Sequence, residues 1–175
     1  MKNHIFLTGR KGVGKTTFLR KVLQSYSGSP GGFFTVRTNS FLKNAYSVHL
    51  FQAGTKEKAC CPNAENLLFV CGEPNQDTAE KFNRLGCEAL EAKKEASLII
   101  MDELGPHEGQ ALLFRNAVLR VLNGNIPVLG VLQEADSPFL DEIKCHPNVR
   151  IVRITEENRN DKKLFHEICK MVLPH

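Results

Sequence analysis

A segment near the amino terminus has residue types and spacing that suit phosphate binding. It runs from Gly9 to Thr16 and matches the pattern G-x-x-x-x-G-K-[ST] at every specified position. Its three glycines permit backbone conformations that a Cβ atom disfavours, so consecutive N–H groups can turn inward around phosphate oxygens. Lys15 can reach the β- and γ-phosphates as a catalytic cation, and the Thr16 hydroxyl can hold Mg²⁺. The residues predicted to contact nucleotide here are Gly9, Arg10, Lys11, Gly12, Val13, Gly14, Lys15, Thr16 and Thr17.

The residues on both sides of this loop predict the strand and the helix that a phosphate-binding loop requires. Residues 5–7 form a short apolar run that is typical of a buried strand, and residues 17–23 place apolar side chains at helical spacing. A helix that begins at Lys15 would direct the positive end of its dipole towards the phosphates. This context argues against the alternative interpretation, an ordinary glycine turn.

An acidic pair follows an apolar stretch in the middle of the chain. Residues 97–101 predict a strand, and Asp102 and Glu103 come directly after it. In an open α/β sheet this end of the strand faces the ligand. Asp102 would hold the Mg²⁺ that bridges the β- and γ-phosphates, and Glu103 would orient or deprotonate a water molecule. Taken alone, such a pair is more often a solvated helix start. The loop upstream favours the metal-binding interpretation.

Two further positions have competing interpretations. Gln133 follows a predicted strand, where its amide could touch the γ-phosphate or a water molecule, or it is simply a loop glutamine. Residues 158–161 resemble the guanine-reading pattern N-K-x-D, with Arg159 in place of the lysine. Arg159 could instead stack on a base or stabilise phosphate charge. The alternative for this region is an acidic helix start over residues 155–158.

Strand and helix patterns alternate along the chain. Two segments rich in aromatic and β-branched residues, 33–37 and 46–51, predict an antiparallel hairpin. Further strands are predicted at 67–70, 97–101, 126–132 and 149–154. Helices are predicted at 78–95, at 114–122, from Pro138 after a Ser137 N-cap, and at 165–172. Repeated βα units imply an α/β fold, with a mostly parallel sheet between helices on both faces and an added hairpin.

The composition is that of one globular domain over residues 1–175. Hydrophobic residues make up 42% and charged residues 24%, and a net charge of +4 with scattered basic residues makes a nucleic-acid groove unlikely. No apolar stretch is long enough to span a bilayer, and a strand begins too soon after Met1 for a signal peptide.

The six cysteines contain no C-x-x-C pair and are expected to be reduced thiols in a cytoplasmic protein. Cys60 and Cys61 are expected to be plain loop thiols.

Together these segments resemble the THEP-type nucleoside-triphosphatase family of P-loop proteins. Beyond the loop, the resemblance rests on three segments: residues 32–37, residues 101–105 with Glu108, and Thr155 with residues 158–159. The family sequence Asp-Glu-hydrophobic-Gly-Lys-Met-Glu has Pro106 and His107 here in place of its lysine and methionine. Any cationic contribution of that lysine is therefore missing at this position.

The resemblance implies a RecA-like or KAP-like P-loop fold and slow, Mg²⁺-dependent hydrolysis of several nucleoside triphosphates, ATP or GTP among them. It also implies that Arg37, Asn158 and Arg159 approach the nucleotide. A kinase of a nucleotide or small metabolite is the alternative, since it uses the same loop, but it needs an acceptor pocket. A nucleotide-dependent accessory protein, whose turnover acts as a switch for an unknown protein partner, is the third possibility.

Overall fold

The computed structural model describes residues 4–54, 61–73, 76–91 and 95–173. The strands are β1 His4–Thr8, β2 Gly31–Leu42, β3 Ala45–Gln52, β4 Leu67–Val70, β5 Ile99–Leu104, β6 Val128–Leu132 and β7 Val149–Arg153. The α-helices are α1 Lys15–Gln24, α2 Thr78–Lys81, α3 Cys87–Glu91, α4 Leu112–Leu122, α5 Pro138–Lys144 and α6 Lys162–Val172. A π-helical segment Phe82–Gly86 joins α2 to α3, and a 3-10 helix covers Pro106–Gln110. Cys60 lies outside the described residues.

The seven strands form one sheet in the order β4-β3-β2-β5-β6-β1-β7. The neighbouring strands β2, β5, β6, β1 and β7 pair in parallel. On the other side of β2, the strands β3 and β4 extend the sheet with antiparallel pairs. The predicted α/β fold with a mostly parallel sheet and a hairpin is therefore confirmed. Only β6 lies between β1 and β5, so the glycine loop after β1 and the acidic pair near the carboxyl end of β5 lie close together at the same edge of the sheet.

Helices cover both faces of the sheet, as predicted. Side chains alternate along each strand, so Ile5 and Leu7 of β1 pack against the layer formed by α1 and α6. Phe6, which lies between them, packs instead against the layer that contains α4 and α5. The two cores hold the carboxyl end of β1 in place below the glycine loop.

The strands of the hairpin and the acidic strand are longer than predicted. β2 and β3 extend the predicted hairpin in both directions because they pair from Phe33 opposite Gln52 as far as Leu42 opposite Ala45. β5 was expected to end at Met101 but continues to Leu104. There the Gln133 N–H donates to the Leu104 carbonyl at 2.9 Å. Asp102 and Glu103 therefore lie within β5, because the strand continues to pair with β6 beyond Met101. The local sequence does not reveal this pairing.

Three helix predictions need correction. The helix expected at 78–95 contains the π-helical segment, and its last described α-helical residue is Glu91, while residues 92–94 lie outside the described residues. Ser137 does occupy the N-cap position before α5, but its side chain makes no capping hydrogen bond. The acidic helix start at 155–158 is wrong, because α6 begins at Lys162 with Asp161 as its N-cap, whose carboxylate accepts from the Lys163 N–H at 2.7 Å.

Candidate active site

The glycine loop connects β1 to α1 in the conformation that its sequence predicts. Gly9, Gly12 and Gly14 have φ values of 140°, 79° and 107°, in the region that favours glycine. A Cβ atom on Gly9 would overlap the Ile154 carbonyl oxygen. Lys15 is only 7% exposed, and its Nζ donates to the Gly9 carbonyl at 2.7 Å and to the Arg10 carbonyl at 3.0 Å. The ammonium group is thus held across the loop.

The loop and the acidic strand meet at a hydrogen bond between Thr16 and Asp102. The Thr16 hydroxyl donates to Asp102 Oδ1 at 3.0 Å. Asp102 is 1% exposed, and its Oδ2 has no hydrogen-bond partner among the described residues. Burial raises the pKa of this carboxyl to about 6, with a further rise from the Glu103 charge, while the Thr16 hydrogen bond opposes the shift.

These oxygen atoms fit a magnesium ion that a nucleotide brings with it. A hydroxyl and a carboxylate are hard ligands, and Mg²⁺ is commonly held by one or two such groups together with phosphate oxygens and water. The buried, unpartnered Asp102 Oδ2 is the kind of atom that a cation would satisfy. Within the described residues no group of three or more His, Cys, Asp or Glu side chains could hold a metal ion by itself.

Glu103 and Thr35 lie beside this pair on neighbouring strands. The Glu103 N–H donates to Thr35 Oγ1 at 3.3 Å, and the Glu103 side chain is half-buried. Both residues line one cavity of about 630 Å³, which also contains Gly9 and Lys15 of the glycine loop. Its full lining is Gly9, Arg10, Lys11, Lys15, Thr35, Arg37, Val48, Leu68, Phe69, Cys71, Phe82, Glu103, His107, Glu108, Gln133 and Glu134. Thr35 was not singled out from the sequence, although it lies in the segment that carries the family resemblance.

Glu108 contributes a second buried carboxyl to the same cavity. It lies in the 3-10 helix after β5, is 5% exposed, and its Oε2 has no hydrogen-bond partner among the described residues. Burial raises the pKa of Glu108 to about 7, which the nearby Glu103 charge reinforces and backbone hydrogen bonds oppose. The sequence matched Glu108 to a family motif but gave no sign of this burial.

We expect Glu108 to make the nucleotide-free protein less stable as the pH rises. Its pKa is about 7 when folded against an ordinary 4.5, so between these values the folded protein binds more protons than the unfolded chain. The free energy of unfolding then falls with increasing pH, by about 3 kcal/mol over the full titration. Glu108→Gln should flatten this part of the profile in guanidinium unfolding between pH values of about 4.5 and 7.5. Parallel profiles for the two proteins would contradict the assignment.

Of the four remaining residues that the sequence singled out, two line the cavity and two lie outside its lining. Arg37 and Gln133 line the cavity, and the exposed Arg37 guanidinium lies 4.4 Å from the centre of the Tyr46 ring. Arg159 lies instead beside the glycine loop, where its Cδ would be 3.8 Å from a Cβ atom on Gly14. Asn158 fixes the turn before α6: its side chain accepts from the Thr155 N–H at 2.8 Å and donates to the Arg153 carbonyl at 2.9 Å.

Comparisons with known proteins agree with this geometry. A family model described as NTPase matches residues 4–169. A protein named nucleoside-triphosphatase THEP1 from Methanocaldococcus jannaschii is 30% identical over 179 residues, which cover 97% of this chain and 96% of the relative. Its counterpart from Thermotoga maritima is 29% identical over 176 residues, which cover 96% and 94%.

Solved structures show the same fold. The crystal structure of THEP1 from Aquifex aeolicus matches with a TM-score of 0.73 and 22% identity, covering 97% of this chain and 98% of that one. The solution structure of a human cancer-related nucleoside triphosphatase matches with a TM-score of 0.64 and 25% identity, covering 96% of each chain. Within the described residues no helix is long and apolar enough to cross a membrane.

Proposed function

Since this chain belongs to the NTPase family and is a nucleoside-triphosphatase of P-loop fold, we propose that it hydrolyses ATP, GTP and related nucleotides with Mg²⁺ in the cavity described above. The observation that carries the proposal is the 3.0 Å hydrogen bond between Thr16 and Asp102. This hydrogen bond joins the Thr16 hydroxyl at the start of α1 to the buried Asp102 carboxyl on β5, beside the glycine loop. The products would be a nucleoside diphosphate and phosphate.

The backbone of the glycine loop and Lys15 are the groups proposed to bind phosphate. The N–H groups of the loop and the amino-terminal end of α1 would bind the phosphate oxygens, and the positive φ values of Gly9, Gly12 and Gly14 are consistent with such a loop. Lys15 Nζ already has two carbonyl partners, and an ammonium group has three donors. Its remaining donor can therefore reach a β- or γ-phosphate oxygen while the loop keeps the side chain in place.

Thr16 and Asp102 are the residues that would hold the metal ion. A bound Mg²⁺ would supply positive charge that offsets the negative charge developing on the phosphate oxygens. Asp102 must be ionised for this role, and the Thr16 hydrogen bond already favours its charged form. On metal binding the Thr16 hydroxyl can turn its proton away from Asp102 and offer its oxygen instead.

Glu103 is the residue proposed to serve the attacking water. It is half-buried and faces the cavity, and its backbone is held by the Thr35 hydroxyl. The carboxylate would accept a proton from the water as the water oxygen bonds to the γ-phosphorus and the bond to the diphosphate breaks. Gln133 lines the same cavity and is the second group that can orient this water.

Phosphate release tests the proposed function directly. We expect purified protein to release phosphate from ATP, GTP, CTP and UTP with Mg²⁺, at rates within about tenfold of one another since no base-reading pocket is required. Excess EDTA should reduce release to the background. Undiminished release in EDTA would overturn the metal assignment, and no release from any nucleotide would overturn the site.

The two arginines should have different effects because they lie on opposite sides of the loop. Arg159 lies beside Gly14, so we expect Arg159→Ala to weaken nucleotide binding about tenfold, the scale of one charge-assisted hydrogen bond. Arg37 lies at the cavity, so Arg37→Ala should slow phosphate release more than it weakens binding. Thermal midpoints should stay unchanged, since both arginines are exposed.

The control variant is Arg120→Ala, because Arg120 is exposed and lies outside the cavity lining. Equal behaviour of all three variants would assign Arg37 and Arg159 to the solvated surface.

We also propose a cytoplasmic location and no nucleic-acid partner. The cysteines that the structure describes, at positions 61, 71, 87, 145 and 169, are free thiols. Burial raises the pKa of Cys87 and of Cys169, which suits inert packing better than redox chemistry. Reduced thiols are the usual state in the cytoplasm.

A further inference from the structure

The cavity extends well beyond the residues that hydrolysis needs. The glycine loop, Glu103 and Gln133 lie on one side of it. The other side, here called the apolar wall, consists of Val48, Leu68, Phe69, Cys71 and Phe82. Catalytic water needs polar partners rather than aromatic and aliphatic side chains, so the apolar wall has no role in hydrolysis. Apolar lining with a few polar groups is typical of a small-molecule site.

β3 and β4 place Val48 and Phe69 of the apolar wall on the γ-phosphate side of the nucleotide. Val48 lies opposite Arg37 on β2 and opposite Phe69 on β4, so the three side chains form one row across the sheet on the same face. β3 and β4 lie beyond β5, whose acidic residues are proposed to act at the γ-phosphate. Arg159 follows β7, at the other edge of the sheet. The wall therefore faces the end of the nucleotide that reacts.

Glu108 supplies a buried carboxyl between the two sides. It is 5% exposed, it lines the cavity, and its Oε2 has no partner among the described residues. Neither the metal-binding pair nor the proposed attack by water uses it. A carboxylate in this environment is suited to accept a proton from a ligand hydroxyl.

We propose that the apolar wall binds a small, uncharged ring compound with a hydroxyl group, and that the protein transfers the γ-phosphoryl group to this hydroxyl. The inference rests on the proposed position of the γ-phosphate. The hydroxyl oxygen bonds to the γ-phosphorus, the bond to the β-phosphate oxygen breaks, Glu108 takes the hydroxyl proton, and the nucleoside diphosphate leaves. Water attacks instead when no acceptor is bound.

The chemistry of the lining selects this class of acceptor. Phe69 presents aromatic surface, with the buried Phe82 packed behind it in the core, and the Phe69 ring already lies 5.5 Å from that of His107, a spacing at which aromatic rings attract one another. The triphosphate would pair with the cationic residues of the lining, so the carboxyl groups of Glu103, Glu108 and Glu134 disfavour a further anion as acceptor. The apolar wall disfavours a cationic one, because charged groups lose hydration there.

The experiment follows the γ-phosphate label of ATP in the presence of Mg²⁺ and one alcohol at a time. The ring alcohols are benzyl alcohol, pyridoxine and thymidine, and glycerol is the control. At least one ring alcohol should carry label into an organic phosphate ester, at about tenfold or more above glycerol. Label in inorganic phosphate alone, with every ring alcohol, overturns this inference and leaves hydrolysis intact. No inorganic phosphate without an alcohol overturns the proposed function instead.

Two variants locate the acceptor site once an ester-forming alcohol is known. Val48→Phe fills the cavity, so the share of label in ester should fall about tenfold or more. Val36→Phe adds the same volume on the opposite face of the hairpin and should keep the wild-type share. Glu108→Gln should lower ester formation at least tenfold more than phosphate release, because Glu103 serves the water. An unchanged ester share in Val48→Phe, or an equal fall of both products in Glu108→Gln, would overturn the assignment.

Discussion

Replacing Lys15 with alanine is expected to lower single-turnover phosphate release by on the order of 10³-fold, the upper range for loss of one oriented donor in a site that stabilises charge. We propose Lys15 as the cation that the loop holds against the β- and γ-phosphates. It is 7% exposed, and its Nζ lies 2.7 Å and 3.0 Å from two loop carbonyl oxygens. Because the Lys15 side chain is already fixed, orienting it costs the wild-type protein little free energy. In the variant, water cannot replace the missing ammonium group.

The matched control is Lys21→Ala. Lys21 lies on the same helix, one to two turns further along, and is exposed to solvent. Removing it changes the net charge by the same amount, so the two variants separate a local contact from a general electrostatic effect. Phosphate release should stay close to that of the wild type in Lys21→Ala. Undiminished release by Lys15→Ala would place the reaction outside the glycine loop.

The conformation of the glycine loop could be predicted because its signal is local. Each glycine of the loop has the backbone conformation that its type predicts, and the helix begins at Lys15 as expected. The alternation of strand and helix and the antiparallel hairpin were also predictable. In all of these cases each strand or helix is predicted from a pattern of neighbouring residues, so no tertiary information is required.

Features that depend on pairing between distant segments could not be predicted in the same way. Thr16 and Asp102 are 86 residues apart in the chain, and only the order of the strands brings them to 3.0 Å. The sequence assigned both to the metal from residue type, but it did not indicate that they touch. β5 continues to Leu104 because β6 and the Gln133 N–H provide partners there, and no residue within β5 signals this.

Burial of polar groups was the least predictable property. Glu108 appears in the sequence as a charged residue after Pro106 and His107, in a segment that would suit solvent. In the structure it is 5% exposed and faces the cavity. The apolar wall behaves similarly, because Val48 and Phe69 come from strands with ordinary alternating patterns. Their joint position opposite Arg37 appears only when the three strands pair.

Asp102→Asn and Glu103→Gln are expected to separate nucleotide binding from chemistry. The two carboxyl groups are neighbours on β5 but have different surroundings. Asp102 contacts Thr16 and is buried, whereas Glu103 faces the cavity. Asp102→Asn should weaken the binding of Mg²⁺ with nucleotide and slow turnover together. Its neutral amide keeps the shape of the side chain but loses the charge that a cation requires.

Glu103→Gln should leave nucleotide affinity nearly unchanged and slow phosphate release by on the order of 10²-fold or more, the scale for loss of a positioned general base. Equilibrium binding of triphosphate with Mg²⁺ and single-turnover phosphate release distinguish the two variants. An equal loss of affinity in both would mean that both carboxylates serve the metal. Release at the wild-type rate in Glu103→Gln would remove Glu103 from the mechanism. The water would then be oriented by Gln133 or Glu108, two further polar residues of the cavity lining.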